Sequence, residues 1–199
     1  MHDASAAPAE SPTSVESPAS VESPASAAAN AIAGANYTPR MHIVLFQPEI
    51  PPNTGAVGRT CVAVAAKLWL VRPLGFRVDE KTLRRAGLDY WRHLEWEVVD
   101  DWRALSAALP VERAWYFTKS ARHSYADVEY RFDDILVFGS ETSGLPPWIL
   151  ETHAARTLRI PTRPQVRSLN LSNSVAVAAY EADRQWRRAG WLDVDEPRA

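Results

Sequence analysis

Several features that are common in other protein classes are missing from this chain of 199 residues. The single cysteine, Cys61, excludes an intramolecular disulfide and favours a reducing compartment. No apolar run approaches the roughly 18 residues that span a bilayer, so we expect no membrane association and a cytoplasmic location. One cysteine and five scattered histidines argue against a structural metal site, and we predict none.

Familiar nucleotide-binding and hydrolase motifs are also missing. No Gly-x-Gly-x-x-Gly follows a predicted strand, which disfavours a Rossmann-type site. The sequence contains neither a Walker-type phosphate loop nor a Gly-x-Ser-x-Gly nucleophile elbow. Cys61 falls within a predicted helix and not beside an obvious base, so we do not expect it to act as a nucleophile.

Residues 1–38 have no lysine or arginine and almost no large apolar side chain. The whole chain carries a net charge of −2, and the four acidic residues of this segment account for −4, so the remainder carries +2. A segment of this composition cannot offset its ordering entropy by burying apolar surface. We therefore predict a disordered tail over 1–38, a folded domain over 41–190 and a flexible C-terminus over 191–199.

From Met41 onward, predicted strands alternate with predicted helices. The strands are expected at His42–Gln47, Lys67–Arg72, Leu94–Val99, Ala114–Thr118, Ile135–Gly139 and Thr157–Ile160. The helices are expected at Asn53–Ala66, Asp79–Ala86, Asp101–Ala108, Pro146–Thr152 and Asn170–Arg188. This alternation predicts an α/β domain with a mainly parallel sheet flanked by helices.

Three segments that follow predicted strands are rich in Gly, Pro, Asn, Ser and charged residues. They are 48–55, which leads to Arg59, then 138–146, and then 160–173. In an open α/β sheet, ligands bind beyond the carboxyl ends of the strands. The three segments are therefore expected to converge on one edge of the sheet and form a site.

Single positions in these segments also have purely structural explanations. Asn53 or Thr54 could cap a helix, and Asn170 could cap the last helix. Gly139 and Gly144 could supply a positive φ in a turn. For one position alone the structural explanation is the better one, and only the combination of three segments favours a site.

In this order, the segments resemble the three motifs of the SpoU branch of the SPOUT methyltransferases, and in particular the minimal tRNA (cytidine/uridine-34-2′-O)-methyltransferase family. The resemblance covers about Met41 to Arg188. It rests on 48–55 with Arg59-Thr60-Cys61, on 84–90, on Phe138-Gly139-x-Glu141-x-x-Gly144-Leu145-Pro146, and on Ile160-Pro161 followed by 167–173. Ala56 departs from the family pattern, which commonly has Asn there.

This resemblance implies a deep trefoil knot on the C-terminal side of the sheet and a bound S-adenosyl-L-methionine, with S-adenosyl-L-homocysteine as the product and no metal. The residues that it places around the cofactor are Thr118, Phe138, Gly139, Glu141, Ile160, Ser168, Leu169 and Asn170. Phe138, Ile160 and Leu169 could form an apolar slot for adenine.

For catalysis, the resemblance singles out Arg59, with Asn53, Glu141, Ser168 and Asn170 around it. Arginine is essentially always protonated in proteins, so we expect Arg59 to orient a phosphate and to stabilise the developing alkoxide. Glu141 could accept the proton of the hydroxyl or could hold the motif loops together, and the sequence leaves both roles open.

The implied reaction is methylation of the ribose 2′-hydroxyl of the wobble nucleotide of tRNA by a homodimer, with the last helix at the subunit interface. The candidate RNA contacts are Lys81, Arg84, Arg85, Lys119, Arg122, Arg163 and Arg167. Methylation of ribosomal RNA, a catalytically silent RNA-binding protein of the same fold and, more remotely, an enzyme acting on a small molecule are the alternatives.

Overall fold

The structure of the protein is a computed structural model in which residues 39–77 and 89–192 are described. Within these ranges, the strands are β1 (Met41–Phe46), β2 (Ala66–Val71), β3 (Trp96–Val99), β4 (Trp115–Phe117), β5 (His123–Ser124), β6 (Asp134–Phe138) and β7 (Thr157–Arg159). The α-helices are α1 (Pro51–Val64), α2 (Trp102–Ala108), α3 (Pro147–Thr152) and α4 (Leu171–Arg188). Short 3-10 helices cover Asp89–His93, Val111–Arg113 and Ala154–Arg156.

The strands form one parallel sheet of seven strands in the order β3-β2-β1-β6-β4-β7-β5. β1 lies inside the sheet, where Ile43 pairs with Leu68 of β2 and Leu136 of β6. Because all strands run the same way, their carboxyl ends lie together on one side of the sheet, which we call the carboxyl edge. Their amino ends lie on the opposite side, which we call the amino edge. The predicted α/β fold is confirmed. The trefoil knot stays a prediction.

Both faces of the sheet are covered, so every residue of β1 except the half-buried His42 is apolar and buried. On one face, Ile43 and Leu45 pack in a cluster with α1 and α4. On the other, Val44 and Phe46 pack with side chains of α2 and α3. The alternation of side chains along a strand assigns successive residues to the two clusters.

The last helix has the amphipathic stripe that its sequence predicts. Its stripe residues are all buried: Leu171, Val175, Ala178, Ala182 and Trp186. Asn170 is its N-cap, as one of the structural explanations proposed, because Asn170 Oδ1 accepts hydrogen bonds from the amides of Ser172 at 2.9 Å and Asn173 at 3.4 Å.

The start of α1 differs from the prediction. The helix begins at Pro51, not Asn53, and its N-cap is Ile50, whose carbonyl accepts from the amide of Asn53 at 3.0 Å. Proline is suited to the first helical positions because its fixed φ matches the helix and no amide hydrogen is needed there. Asn53 and Thr54 are therefore not caps but buried helical residues.

One strand of the sheet was not predicted, and several predictions fall outside the described residues. β5 was not predicted, because a strand of two residues leaves no periodic pattern. The helix expected at 79–86, the tail 1–38, residues 193–199 and the candidate RNA contacts Lys81, Arg84 and Arg85 lie outside the described residues. Within the described ranges, every helix is too short or too polar to cross a bilayer.

Candidate active site

Glu141 connects the first two motif loops at the carboxyl edge. It lies just after β6, and its carboxylate accepts three hydrogen bonds from the first motif loop and the first turn of α1. The amide of Glu49 donates at 2.8 Å, the amide of Ile50 at 3.3 Å and Asn53 Nδ2 at 2.9 Å. A carboxylate that accepts several N–H groups is a strong tether, because hydrogen bonds to a charged group contribute about 1.5–3 kcal/mol each.

The same two loops are joined a second time in the reverse direction. Glu49 Oε2 accepts from the amide of Thr142 at 3.2 Å and from Thr142 Oγ1 at 2.5 Å. Each loop therefore holds the other through one glutamate. These contacts join residues more than 90 positions apart in the chain, so they fix tertiary structure and not a local turn.

Asn53 extends this network to the third motif loop. While its Nδ2 donates to Glu141, its Oδ1 accepts from Asn170 Nδ2 at 2.9 Å. Asn53 itself is 8% exposed, so its amide is satisfied by protein partners on both sides. We call the five connected residues the loop clamp: Glu49, Asn53, Glu141, Thr142 and Asn170. The predicted convergence of the three segments is confirmed.

Two glycines shape the middle loop. A Cβ on Gly139 would lie 2.0 Å from the carbonyl carbon of Gly144 and 2.1 Å from the amide nitrogen of Leu145. Gly139 is thus required by a close approach of two backbone segments. Of these two glycines, Gly144 alone has the positive φ that the sequence suggested, at 70°. The sequence could not distinguish these two uses of glycine.

A cavity of about 310 Å³ lies beside the loop clamp. Its walls follow the carboxyl ends of β4, β6 and β7, where Thr118, Gly139 and Ile160 come directly after the strands. This position agrees with the rule that ligands bind at the carboxyl ends of parallel strands. The size is at the lower end of the range for small-molecule sites.

The cavity combines an apolar wall with a polar rim. Phe138 stacks on Phe117 with ring centroids 4.4 Å apart, and Ile160 and Leu169 complete the apolar side. Hydroxyls and backbone groups of the surrounding loops supply the polar side. Of the residues predicted around the cofactor, those that line the cavity are Thr118, Phe138, Gly139, Glu141, Ile160, Ser168 and Leu169. Asn170 is not among them and belongs to the loop clamp.

Arg59 lies apart from this cavity. It projects from the exposed side of α1, and its guanidinium carbon lies 4.6 Å from the centre of the Tyr90 ring. Tyr90 is held in turn, because its hydroxyl donates to the carbonyl of Gly55 at 2.8 Å. Stacking on an aromatic face fixes the orientation of a guanidinium without neutralising it. The structure therefore brings together four of the five predicted catalytic residues, and Arg59 is the exception.

The predicted RNA contacts that fall in the described ranges are Lys119, Arg122, Arg163 and Arg167, and all four are exposed. Lys119 lines the cavity. Arg163 and Arg167 lie on the third motif loop, where every residue from 161 to 170 is exposed. Lys119, Arg163 and Arg167 follow the carboxyl ends of β4 and β7, so their charge lies on the same side of the molecule as the cavity, whereas Arg122 directly precedes β5.

Cys61 is buried inside α1, and burial raises the pKa of its thiol well above the ordinary range. The thiolate is the nucleophilic form of cysteine, so a thiol of this kind is unreactive. The expectation that Cys61 is not a nucleophile is consistent with this environment. Among the described residues, no group of three or more His, Cys, Asp or Glu side chains is placed to hold a metal ion.

Sequence reasoning missed three residues that build the site. Glu49 and Thr142 lie inside the quoted motifs but received no role, because nothing in the sequence shows which loop a carboxylate will meet. Gly75 follows β2, and a Cβ there would lie 2.7 Å from the Cα of Glu49. A glycine two residues after Pro73 in a loop at the carboxyl edge is the only sequence signal for this contact.

Comparison with known proteins gives the same answer as the motifs. A tRNA (cytidine(34)-2'-O)-methyltransferase of Methylovorus glucosotrophus (strain SIP3-4) is 48% identical over 151 residues, which are 74% of this chain and 97% of the relative. The enzyme of that name from Burkholderia cenocepacia (strain HI2424) is 46% identical over 153 residues, covering 75% and 96%. A solved structure described as "Structural insights into the 2-OH methylation of C/U34 on tRNA" is 45% identical, covers 74% of this chain and 97% of that one, and superposes with a TM-score of 0.70.

The matched region contains the whole loop clamp and the cavity. A sequence model of the SpoU rRNA Methylase family matches residues 40–180, which run from the start of β1 into α4 and include all three motif loops. With the parallel sheet, the convergent loops and these relatives in agreement, the chain belongs to the SpoU rRNA Methylase family.

Proposed function

We propose that this protein transfers a methyl group from S-adenosyl-L-methionine to the ribose 2′-hydroxyl of the wobble nucleotide, cytidine or uridine 34, of tRNA. The observation that carries the proposal is the loop clamp, which holds the three motif loops against a cavity at the carboxyl edge. Relatives that are 46–48% identical, and that this chain covers almost completely, are named for the same reaction.

The residues of the cavity suit the cofactor. An adenine ring needs a flat apolar slot, and Phe138, Ile160 and Leu169 line one side of the space. Gly139 lets two backbone segments meet at the wall, and Lys119 at the rim carries a charge that suits the carboxylate of an amino acid. When bound, S-adenosyl-L-methionine supplies the methyl group from a positively charged sulfur and ends as S-adenosyl-L-homocysteine. The departing thioether is neutral, so the reaction needs no metal.

The chain must position the ribose and manage its proton. Arg59 carries a permanent positive charge, so we assign it to a phosphate and to the developing alkoxide and not to proton abstraction. Glu141 already accepts from three donors of the first loop. This geometry favours a supporting role over proton acceptance, so we assign Glu141 as a positioning residue that holds the motif loops.

We further propose a homodimer that forms through the outer faces of α1 and α4, which pack side by side. The outward row of α1 contains Ala56, Arg59 and Ala63, and α4 adds Tyr180, which is 52% exposed. Tyrosine and arginine are enriched at protein interfaces, and the small side chains beside them allow two helices to approach closely. In such a dimer Arg59 lies at the interface and away from its own cavity, so we propose that it serves the cavity of the partner protomer.

Two other functions share this fold. The family description names ribosomal RNA, so 2′-O-methylation of ribosomal RNA is the second candidate. A catalytically silent RNA-binding protein would be expected to lose motif residues, and this chain keeps all four that matter: Arg59, Glu141, Ser168 and Asn170. The reaction on tRNA, together with the single free cysteine, supports a cytoplasmic location.

The test is transfer of labelled methyl from S-adenosyl-L-methionine to total tRNA, followed by nucleoside mass spectrometry of the product. A 2′-O-methylated pyrimidine at the wobble position is the expected result. Methylation of ribosomal RNA and not of tRNA would establish the second candidate. Binding of RNA without any methyl transfer would establish the silent protein.

The Arg59→Ala variant tests the catalytic assignment. Removing a group that stabilises a developing oxyanion typically lowers turnover by about 100- to 1,000-fold, and we expect a loss of that size. The affinity for S-adenosyl-L-methionine, measured by calorimetry, is expected to stay at the wild-type value because Arg59 does not line the cavity. Arg103→Ala, an exposed arginine on α2, is the matched control. Normal turnover by Arg59→Ala would refute the assignment.

A mixture of two inactive variants tests the role across the interface. Protomers with Arg59→Ala keep an intact cavity, and protomers with Gly139→Ala keep Arg59. If each arginine serves the partner's cavity, mixed dimers contain one complete site and the mixture regains partial activity. No recovery in a mixture shown to contain mixed dimers would place Arg59 at the cavity of its own protomer.

A further inference from the structure

The large apolar side chains that are exposed in the described residues are not evenly distributed. Four of the seven lie on the loops or the short helix at the carboxyl edge: Ile50, Trp148, Val166 and Leu169. Exposed apolar groups concentrated in one place indicate a binding surface, whereas single ones scattered over a protein do not. Trp148 is the largest of the four and is 51% exposed.

The indole of Trp148 is rigidly supported on one side only. It is the second residue of α3, which follows Pro146 and begins at Pro147, so the backbone before it is restricted. The ring packs edge-on against Trp102, with centroids 5.9 Å apart, and against Phe46, with centroids 6.4 Å apart. Such T-shaped contacts hold an aromatic ring in a defined orientation. Half of the indole surface remains open to a ligand.

The position of Trp148 links this surface to the cavity. Leu145 and Leu150, which flank it on the chain, both line the cavity, and Thr142 of the loop clamp lies six residues before it. Trp148 itself belongs to the α2 and α3 side of the sheet, through its contacts with Trp102 and Phe46. A dimer that uses α1 and α4 on the other side leaves it uncovered.

The chemistry of the substrate class favours an aromatic surface at this place. Unpaired RNA loops are recognised largely by stacking their splayed bases on aromatic side chains. An in-line approach to a ribose 2′-hydroxyl also requires that the target nucleotide be held away from its neighbours. The exposed cations of the same edge, among them Lys119 and Arg163, suit the phosphates of that loop.

Resting on the proposed function, we propose that Trp148 is a stacking platform for an unpaired base that neighbours the target nucleotide. It acts as a substrate-binding residue, since it binds RNA beside the cavity and contributes nothing to the cofactor site. The occupant is an RNA base and not a second protein chain, because Trp148 lies at the same edge of the sheet as the cavity and the exposed cations.

The experiment compares Trp148→Ala and Trp148→Phe with Trp191→Ala. Trp191 is the matched control, because it is 52% exposed but contacts Phe132 at the opposite edge. Steady-state methylation of tRNA at saturating S-adenosyl-L-methionine gives KM and kcat, calorimetry gives the cofactor affinity, and sedimentation velocity gives the oligomeric state. Loss of one base stack corresponds to roughly a 5- to 150-fold change in affinity.

We expect Trp148→Ala to raise KM for tRNA within that range and to leave cofactor affinity and oligomeric state unchanged. Trp148→Phe should restore most of the loss, and Trp191→Ala should match wild type. A wild-type KM for Trp148→Ala would overturn the inference and leave the proposed function intact. A changed oligomeric state or a lost cofactor site would also overturn it, in favour of a protein interface or a cavity support. Absence of tRNA methylation by the wild type would instead refute the proposed function.

Discussion

The two edges of the sheet use similar hydrogen bonds for opposite purposes. At the amino edge, Gln185 of α4 donates from Nε2 to the carbonyl of Val128 at 3.0 Å and accepts at Oε1 from the amide of Tyr130 at 3.0 Å. Trp186 Nε1 donates to the carbonyl of Tyr130 at 2.9 Å. At the carboxyl edge, the loop clamp makes bonds of the same length between distant loops.

The difference lies in what these bonds enclose. At the amino edge, they press the last turns of α4 onto one backbone segment, and Trp186 packs between them with only 1% of its surface exposed. A broad, open surface groove lies beside this contact, so the bonds themselves enclose a packed side chain. At the carboxyl edge, the bonds tie the motif loops to one another beside a cavity that stays open. We infer that the amino edge contributes mainly to folding stability, whereas the carboxyl edge uses its stabilising contacts to maintain a binding geometry.

Gly139→Ala should give the largest effect on activity, because it disrupts the loop packing at the carboxyl edge. The new Cβ would overlap the backbone of Gly144 and Leu145, so the loop must move by about 1 Å, a displacement that typically costs about 100-fold in rate. We expect methyl transfer to fall by at least that factor and cofactor binding to be lost by calorimetry.

Gly190→Ala at the amino edge is the matched control for Gly139→Ala. Gly190 has a φ of 73° with open space around it, so alanine there should cost about 1 kcal/mol of stability and no cofactor affinity. Tight cofactor binding by Gly139→Ala would show that the loop can open without harm, and the contrast between the edges would disappear.

Trp186→Ala should affect stability alone. Removal of a buried tryptophan costs about 3–5 kcal/mol, which urea denaturation measures directly. The exposed Trp191→Ala should lie within about 0.5 kcal/mol of wild type. Below the unfolding transition, folded Trp186→Ala is expected to bind the cofactor normally. Weaker binding by the folded variant would mean that the edges are coupled through α4.

Glu141→Gln should give the smallest of the three effects, because it removes a single hydrogen bond of the loop clamp. Glutamine keeps the shape but offers one acceptor oxygen in place of two, so one donor of the first loop loses its partner. We expect methyl transfer to fall by about 10-fold, the equivalent of one such hydrogen bond. Glu151→Gln on the exposed side of α3 is the control.

The size of the loss distinguishes the two roles of Glu141. Loss of a positioning hydrogen bond is expected to cost about 10-fold in turnover, whereas removal of a general base typically costs about 100- to 10,000-fold. A loss of the larger size in Glu141→Gln would contradict the positioning role.

Much of the fold could be predicted from local patterns. The stripe on α4 and the apolar run of β1 are repeated signals over many residues, so they identify a helix and a buried strand with bounds correct to one or two positions. β5 has two residues, and the order of strands depends on contacts between distant segments, so neither has a local signal. The cap at Ile50 was missed because its side chain makes no capping bond.

The site was predictable in its composition and less so in its connections. The motif loops named Asn53, Glu141 and Asn170, and the structure joins them in one network. The sequence could not show that Glu49 and Glu141 each accept hydrogen bonds from the other's loop, because the two loops are separated by more than 90 residues. It also could not show that Arg59 lies away from the cavity, since that depends on which side of α1 faces the core.

The described chain enters and leaves at the same edge. The carbonyl of Arg40, just before β1, accepts from the amide of Asp133 at 3.0 Å, and the amide of Trp191, just after α4, donates to the carbonyl of Trp186 at 2.9 Å. Both ends of the described region therefore lie at the amino edge, opposite the cavity and the exposed cations of the carboxyl edge. A fluorophore, an affinity handle or a surface tether attached at either end would leave the approach of a bulky nucleic acid unobstructed, which makes this chain suited to immobilised or single-molecule formats.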